Sequence, residues 1–417
     1  MNTKLSIFGD RFHLNGRPVY SEIPGANPAC LGLLWNQRLI QGVYSDRQNP
    51  GLLDAEANTN ALIAALPEWY RHGLRAITVG FQGGWPVGLT APESIDCNPF
   101  GPDGKALDSA FASRMDRIIR AADAIGMVVI VSLLYWAQCR RMAGEDAVVK
   151  AIRTGSRFIR DNGYSNVILE IANEYNIGYW EPFPIIRQPE NMARLISMAR
   201  ELSGGAPTGC SGGGGLADPA VIDASDVVLI HGNGLTRGQY YDFVRRVQAL
   251  AGGKPVLCNE DSPCFTRVDV ALETGTSWGY YNNYSKQIPP ADYGIAPGED
   301  LFFARRMARA VNIPLAASLP FSDQFYLQGL EARASFAGQR AIRLAAEYPE
   351  TISHVDFYLN GQKLYRSYDE PFFLFRDNTW LCRPVPVKNA PQSWRALVHL
   401  SDGRIIEKVR NILPESR

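Results

Sequence analysis

The chain reads as an α/β protein: a (β/α)8 TIM barrel followed by a small all-β sandwich. Three observations predict this. Short apolar runs alternate with amphipathic helical stretches over roughly the first 300 residues, and eight strand–helix pairs can be counted. No glycine fingerprint follows the first strand, which sets aside an open doubly wound sheet. From about residue 313 the alternation stops and short strands with turn signals take over. The expected division is a barrel over 1–312, a linker over 313–332 and a sandwich over 333–417.

Taken in order, Phe12-His13-Leu14-Asn15-Gly16-Arg17-Pro18-Val19 alternates around Asn-Gly, a hairpin signal that reads as a small cap. Strand one is expected over 19–23. A long polar and aromatic connection then holds Trp35, Asn36, Arg38 and Tyr44, and connections of this kind are more often functional than filler. The spacing of Leu62, Ile63, Leu66, Trp69 and Tyr70 predicts a helix over 59–71, ended by Gly73. Strand two covers 74–81 and exits through Gln82-Gly83-Gly84-Trp85-Pro86. A helix over 109–124 leads to strand three over 127–136, with Tyr135, Trp136 and Gln138 at its end. A helix over 145–161 precedes strand four, 167–174. Next come a helix over 189–202, a short strand five over 208–211 and strand six at 227–231. A helix over 237–251 ends at Gly252-Gly253, before strand seven at 254–260. A short helix at 268–273, strand eight at 276–281 and a helix over 300–311 complete the barrel. In the sandwich, strands are predicted over 340–345, 355–359, 362–365, 371–375 and 394–400, with turns at Asn360-Gly361 and Asp402-Gly403.

Composition narrows the function. Hydrophobic residues at 46% and charged residues at 20% are those of an ordinary globular protein. Lys+Arg and Asp+Glu both number 42, so no basic excess recruits nucleic acid or an anionic membrane surface. The longest apolar run, 127–137, is short of the roughly 18 residues a bilayer span needs. The N-terminus lacks the apolar core of a secretory signal, which points to a cytoplasmic protein or to a secreted or periplasmic one whose leader has been trimmed. The seven cysteines show no CxxC spacing and read as free buried thiols. The five histidines form neither HxH nor HExxH, so no metal motif is written here. Oligomeric state is not written in the sequence either.

The chemistry gathers at three strand ends. Val167, Ile168, Leu169 and Ile171 form a buried run that passes directly into Asn173, Glu174 and Asn176. Strand seven ends in Glu260 and strand six in His231-Gly232-Asn233. Carboxylates at the C-terminal mouth of parallel strands stand where α/β barrels carry their reactions. Glu170 and Asp261 are rival acids; period-two alternation sends Glu170 to the same side of its strand as Glu174, as a barrel-interior or support residue.

This pattern, from about residue 12 to 312, resembles glycoside hydrolase clan A, the retaining barrel glycosidases that include the family five cellulases and mannanases. The C-terminal part resembles the immunoglobulin-like modules that trail such enzymes. The resemblance implies Glu174 as general acid/base and Glu260 as nucleophile, with Asn173 on the sugar 2-hydroxyl. It implies His231 as a substrate contact or a support beside Glu260, and Trp278 on strand eight as the aromatic platform under the sugar. Gln82 and Trp136, with Trp85, Tyr179 and Trp180, sit at strand exits as cleft-lining candidates. Three departures stand out. Asn-Glu-Pro is here Asn173-Glu174-Tyr175, and the usual histidine-x-tyrosine is His231-Gly232-Asn233. The strand-two arginine is absent, with Arg38 as its replacement from the loop after strand one.

Two carboxyls are wanted because one must protonate the leaving oxygen while the other attacks the anomeric carbon, at about 5–5.5 Å separation in retaining enzymes. The expectation is therefore a retaining β-glycosidase acting on an oligo- or polysaccharide, with no metal or organic cofactor. A transglycosylase on the same scaffold and a carbohydrate-binding pseudoenzyme are the alternatives. An esterase is set aside because no GxSxG is present.

Overall fold

In the computed structural model, which describes residues 1–85, 94–331, 334–336, 338–376, 378, 380–386 and 390–413, eight parallel strands run around a barrel. They are Asn36–Arg38, Ala76–Gly80, Val128–Leu134, Val167–Ala172, Thr208–Gly209, Val228–His231, Val256–Glu260 and Ser277–Tyr280, called strands one to eight below. Strand eight pairs with strand one through Gly279 opposite Asn36 and Tyr280 opposite Gln37. Between strands five and six the ring is bridged by a 2.9 Å bond from the Asp226 N–H to the Thr208 carbonyl. Gly209 permits that approach, since a Cβ there would lie 2.2 Å from the Val227 carbonyl oxygen.

The helices form where their periodicity and caps direct. Ser109–Ala124, Glu145–Asp161, Pro189–Leu202 and Arg237–Ala251 match the predicted ranges. Asp108 accepts from the Ala110 and Phe111 N–H groups at the head of the first, and Thr236 with Gln239 forms a capping box on the last. Their apolar stripes cover a barrel wall whose strands are buried along almost their whole length.

One barrel strand differs from expectation. Residues 19–23 are not strand one; they lie in turns, and strand one is Asn36–Arg38 inside the long connection. Tyr20 instead plugs the N-terminal end of the barrel. Its hydroxyl donates to the Gly73 carbonyl at 2.8 Å and accepts from the Trp35 N–H at 3.2 Å, just ahead of strands two and one. The expected hairpin around Asn15-Gly16 is present as Arg11–Leu14 paired antiparallel with Arg17–Pro18, and Leu5–Phe8 adds a third strand on the other edge of Arg11–Leu14. As a result Arg38 belongs to the barrel wall, not to a loop.

Beyond the barrel lie small antiparallel sheets. A three-stranded sheet of Phe325–Gln328, Arg343–Ala346 and Phe372–Phe373 faces a four-stranded sheet of Gln362–Ser367, Ile352–Leu359, Gln392–Leu400 and Ile405–Ile412. Phe325, Leu344, Phe357, Trp394 and Val398 share the core between them. Burial alternates along Gln392–Leu400, as a strand with one core face requires. Phe325–Gln328 lies in the stretch read as linker, and Ile405–Ile412 was not anticipated. Pro86, residues 332 and 333 at the expected linker–sandwich junction, and residues 414–417 lie outside the described residues.

The two units are joined by buried charge. Arg343 donates to Glu299, the first residue of the last barrel helix, at 2.6 Å, and Arg305 pairs with Glu347 at 2.6 Å. The seven cysteines are all free and buried. Among the described residues no helix is long and apolar enough to cross a membrane.

Candidate active site

Strand four delivers Asn173 and Glu174. Glu174 takes a left-handed backbone, φ +50°, a conformation unusual for a side-chain-bearing residue and found at sites that need one held at an angle to its strand. The kink is fastened from the segment just past strand five: the Ser211 hydroxyl accepts from the Glu174 N–H at 3.2 Å and its carbonyl accepts from the Tyr175 N–H at 3.0 Å. Trp180, fully buried, donates its indole N–H to the Asn173 carbonyl at 3.0 Å.

Strand seven delivers Glu260, and side chains from strand one and the end of strand six converge on it. The Arg38 Nε lies 2.8 Å from Glu260 Oε2, while Arg38 Nη2 donates to Asn173 Oδ1 at 2.6 Å. Asn233 donates its amide to Glu260 Oε1 at 2.7 Å. His231 Nδ1 lies 3.0 Å from Glu174 Oε1 and 3.9 Å from Glu260 Oε2. A carboxylate oxygen of Glu174, one of Glu260 and a ring nitrogen of His231 thus lie within 4.8 Å of one another. Beneath them Glu170, fully buried, faces Arg38 at 3.5 Å and accepts from Asn259 at 3.1 Å.

Electrostatics follow from this crowding. Burial pushes Glu260 above the ordinary carboxylate value; His231 and Arg38 pull against it, and Glu174 adds to the rise. Burial opposes the charge on Glu170, but Arg38 and His231 outweigh it and hold that carboxyl low. Burial opposes the His231 and Arg38 cations too, and in both the neighbouring glutamates win, so both are raised. Tyr281 and Tyr135 are raised by burial and by the same two glutamates, which keeps their hydroxyls protonated beside the pair.

Of the residues singled out in the sequence, Glu174, Glu260, Asn173, His231 and Arg38 come together. Three stand at their expected places along the strands but are buried in other contacts. Trp278 is fully buried, donates its indole N–H to Asp261 at 2.7 Å and packs edge-on against Phe303, so it presents no face to a ligand. Gln82 is also buried, accepting from the Tyr135 N–H at 2.6 Å and donating to Asn98 at 3.0 Å; it braces the strand-three exit. Trp136 stacks on Tyr179 with centroids 4.3 Å apart, and it is Tyr179, 55% exposed, that meets solvent. Asp261 pairs with buried Arg267, which also holds the Gly232 carbonyl at 3.1 Å, so this rival acid is an anchor for the loops after strands six and seven. Gly232 is required there, since a Cβ would lie 2.4 Å from the Asp261 carboxylate.

Asn233 was not singled out as a contact of Glu260, nor Tyr135 and Tyr281 as groups that feel the charge of the acid pair. The available signal was position alone: each follows a strand exit. The donor set of Glu174, His231 and Glu260 has a spacing a metal could use. The Arg38 guanidinium already supplies positive charge against Glu260, which disfavours a second cation. A second grouping, His354, Asp356 and His399 on the sandwich, has its aspartate occupied by Arg366 at 2.6 Å and Lys363 at 2.8 Å.

No family model matches the sequence, and no curated protein matches it. Solved structures align at low identity. An endo-β-1,4-mannanase from Thermotoga petrophila is 11% identical over 91% of this chain and 97% of its own, with a TM-score of 0.45. A β-glucuronidase from Parabacteroides merdae is 11% identical over 98% of this chain, with a TM-score of 0.44, and the chain spans 50% of its length. A GH5-4 broad-specificity endoglucanase from Bacteroides salanitronis is 12% identical over 67% of this chain and 93% of its own, with a TM-score of 0.46. The fold and the site stand on the strand order and side-chain geometry above, not on these alignments.

Proposed function

We propose that the protein is a retaining β-glycosidase acting on an oligo- or polysaccharide, with Glu174 as acid/base and Glu260 as nucleophile. The observation that carries this is the approach of the two glutamates, whose nearest oxygens lie within 4.8 Å across the mouth of the barrel. That separation suits direct attack on the anomeric carbon; an inverting enzyme needs roughly 6.5–9.5 Å to admit a water.

Each neighbour has a task in the scheme. Arg38 and Asn233 offer only donors to Glu260, which favours its ionised form for attack. Glu174 gives its proton to the glycosidic oxygen as the C1–O bond breaks and Glu260 bonds to C1. Glu174 then takes a proton from water, whose oxygen attacks C1 and releases Glu260. His231, hydrogen-bonded to Glu174, fixes the carboxyl between these steps. Asn173 has its amide oxygen held by Arg38, and among the described residues its amide nitrogen meets no acceptor, so it is free to donate to the sugar 2-hydroxyl. The barrel is the catalytic unit and the C-terminal sheets are accessory to it.

The test is turnover of a panel of aryl β-glycosides, with the anomer of the first product read by proton NMR. Glu174→Gln and Glu260→Gln are each expected to lower turnover by several orders of magnitude without unfolding the protein. The first-formed sugar is expected to be the β-anomer. An α-anomer, or near wild-type turnover in either variant, overturns the assignment.

A further inference from the structure

The mouth of the barrel lacks the aromatic platform expected from strand eight, because Trp278 is buried behind Asp261. A pyranose has apolar C–H faces, and a site that holds one uses apolar, usually aromatic, surface beside a few placed polar groups. The C-terminal unit brings an aromatic ring to this mouth.

Trp380 reaches back onto the barrel. Its Cδ1 lies 4.0 Å from the position a Cβ of Gly234 would take, and its carbonyl accepts from the Asn283 amide at 3.1 Å. Gly234 adjoins Asn233, which holds Glu260. Asn283 follows closely on Tyr281, the tyrosine that feels the Glu260 charge. These two contacts lie in the loops after strands six and eight, and those strands flank strand seven and pair with it on either side. Trp380 is therefore at the rim of the mouth from which Glu260 emerges.

The backbone that carries the ring is also held in place. Tyr284 donates its hydroxyl to the Cys382 carbonyl at 3.1 Å and accepts from the Cys382 N–H at 2.9 Å, and Asn378 accepts from the Trp380 N–H at 2.9 Å. A half-buried ring anchored through its backbone on both sides loses little freedom when a ligand stacks on it. Among the described residues nothing accepts its indole N–H, which leaves that donor for a hydroxyl.

We propose that Trp380, carried by the C-terminal unit, forms a wall of the sugar site at the strand-seven mouth by stacking on a pyranose face. The accessory sheets then complete the binding cleft, and the barrel alone has an unfinished one. Trp380 in this role presupposes a saccharide between Glu174 and Glu260, so binding and turnover are read separately.

The experiment titrates β-1,4-linked hexaoses of glucose, mannose, xylose and galactose into full-length Glu260→Gln by calorimetry. The titration is repeated with Glu260→Gln/Trp380→Ala and Glu260→Gln/Trp380→Phe. The Asn283 contact uses the Trp380 backbone and survives both changes, and thermal melts confirm the fold. For whichever hexaose binds, Kd is expected to rise about tenfold in the alanine variant and to be largely recovered in the phenylalanine one. Equal affinity in the alanine variant, no recovery with phenylalanine, or failure of every hexaose to bind overturns the proposal. Hydrolysis of an aryl β-glycoside by the wild type, lost in Glu174→Gln, stands or falls independently of Trp380.

Discussion

The Arg38 Nε lies 2.8 Å from Glu260 Oε2, and the same guanidinium reaches Asn173 with Nη2 at 2.6 Å and faces Glu170 with Nη1 at 3.5 Å. One buried cation thus faces three side chains, Glu260 at the end of strand seven and Asn173 and Glu170 on and just past strand four, from a seat on strand one. Its planar fork is what allows this, and lysine would reach one partner only.

Arg38→Met is accordingly expected to lower kcat/KM by about 10²–10³-fold. Because Arg38 pulls the Glu260 carboxyl down against burial, its loss lets that carboxyl rise further. In the proposed mechanism attack needs ionised Glu260, so the acidic limb of the pH–rate profile is expected to move to higher pH. A profile that drops in height with its acidic limb unmoved refutes this role.

His231 carries a signature in stability. Its folded pKa lies above 6.5 because Glu260 and Glu174 outweigh the burial that would lower it. A histidine raised in the fold contributes in full below the unfolded value of 6.5, and that contribution is lost as the pH climbs through the raised folded value. The wild-type melting temperature is expected to fall as the pH rises from 6.5, with part of that fall absent in His231→Gln. Parallel slopes in the two proteins count against a charged histidine in the cluster.

Much of this was legible because it is written locally. Asn173-Glu174 and Glu260 end apolar runs, and a buried run that stops at an acid is visible in one dimension. Arg38 was noticed, but its strand was missed. Asn36, Gln37 and Arg38 form a three-residue polar strand buried on all sides, and no propensity or alternation marks such a segment. Its polarity is paid for by partners on other strands, Asn36 to the Cys258 carbonyl at 3.0 Å and Arg38 to Glu260. Trp278 shows the converse. Strand-end position does not say which way an indole turns, and the deciding partner, Asp261, lies on another strand. Asn233 was seen as a missing tyrosine, since its contact with Glu260 depends on a loop held by Gly232, Asp261 and Arg267 together.

That loop anchor has a measurable worth. Asp261 and Arg267 are both buried, and Asp261 also takes the Trp278 indole N–H. Asp261→Leu leaves the buried Arg267 guanidinium without its carboxylate, and removing one partner of a buried pair typically costs about 3–5 kcal/mol. Urea denaturation is expected to show a loss of that size. Replacing both partners, Asp261→Leu with Arg267→Met, is expected to recover part of it, since no charge is then stranded. A loss within ordinary surface range for the single variant means the pair is solvated in solution.

The same reasoning applies where barrel and sheets meet. Glu299 at the head of the last barrel helix is buried against Arg343, and Glu347 is buried against Arg305 and also bonded by Arg309. Glu370 reaches the other way, accepting from the Thr266 hydroxyl at 2.6 Å in the segment after strand seven. Each unit therefore leaves charged groups of the other unpaired if it unfolds first, and calorimetry is expected to show one cooperative transition. Arg343→Met strands Glu299 and is expected to lower the midpoint of that single transition. Two resolved transitions, with Arg343→Met shifting only one, indicate that the interface charges are solvated well enough for each unit to stand alone.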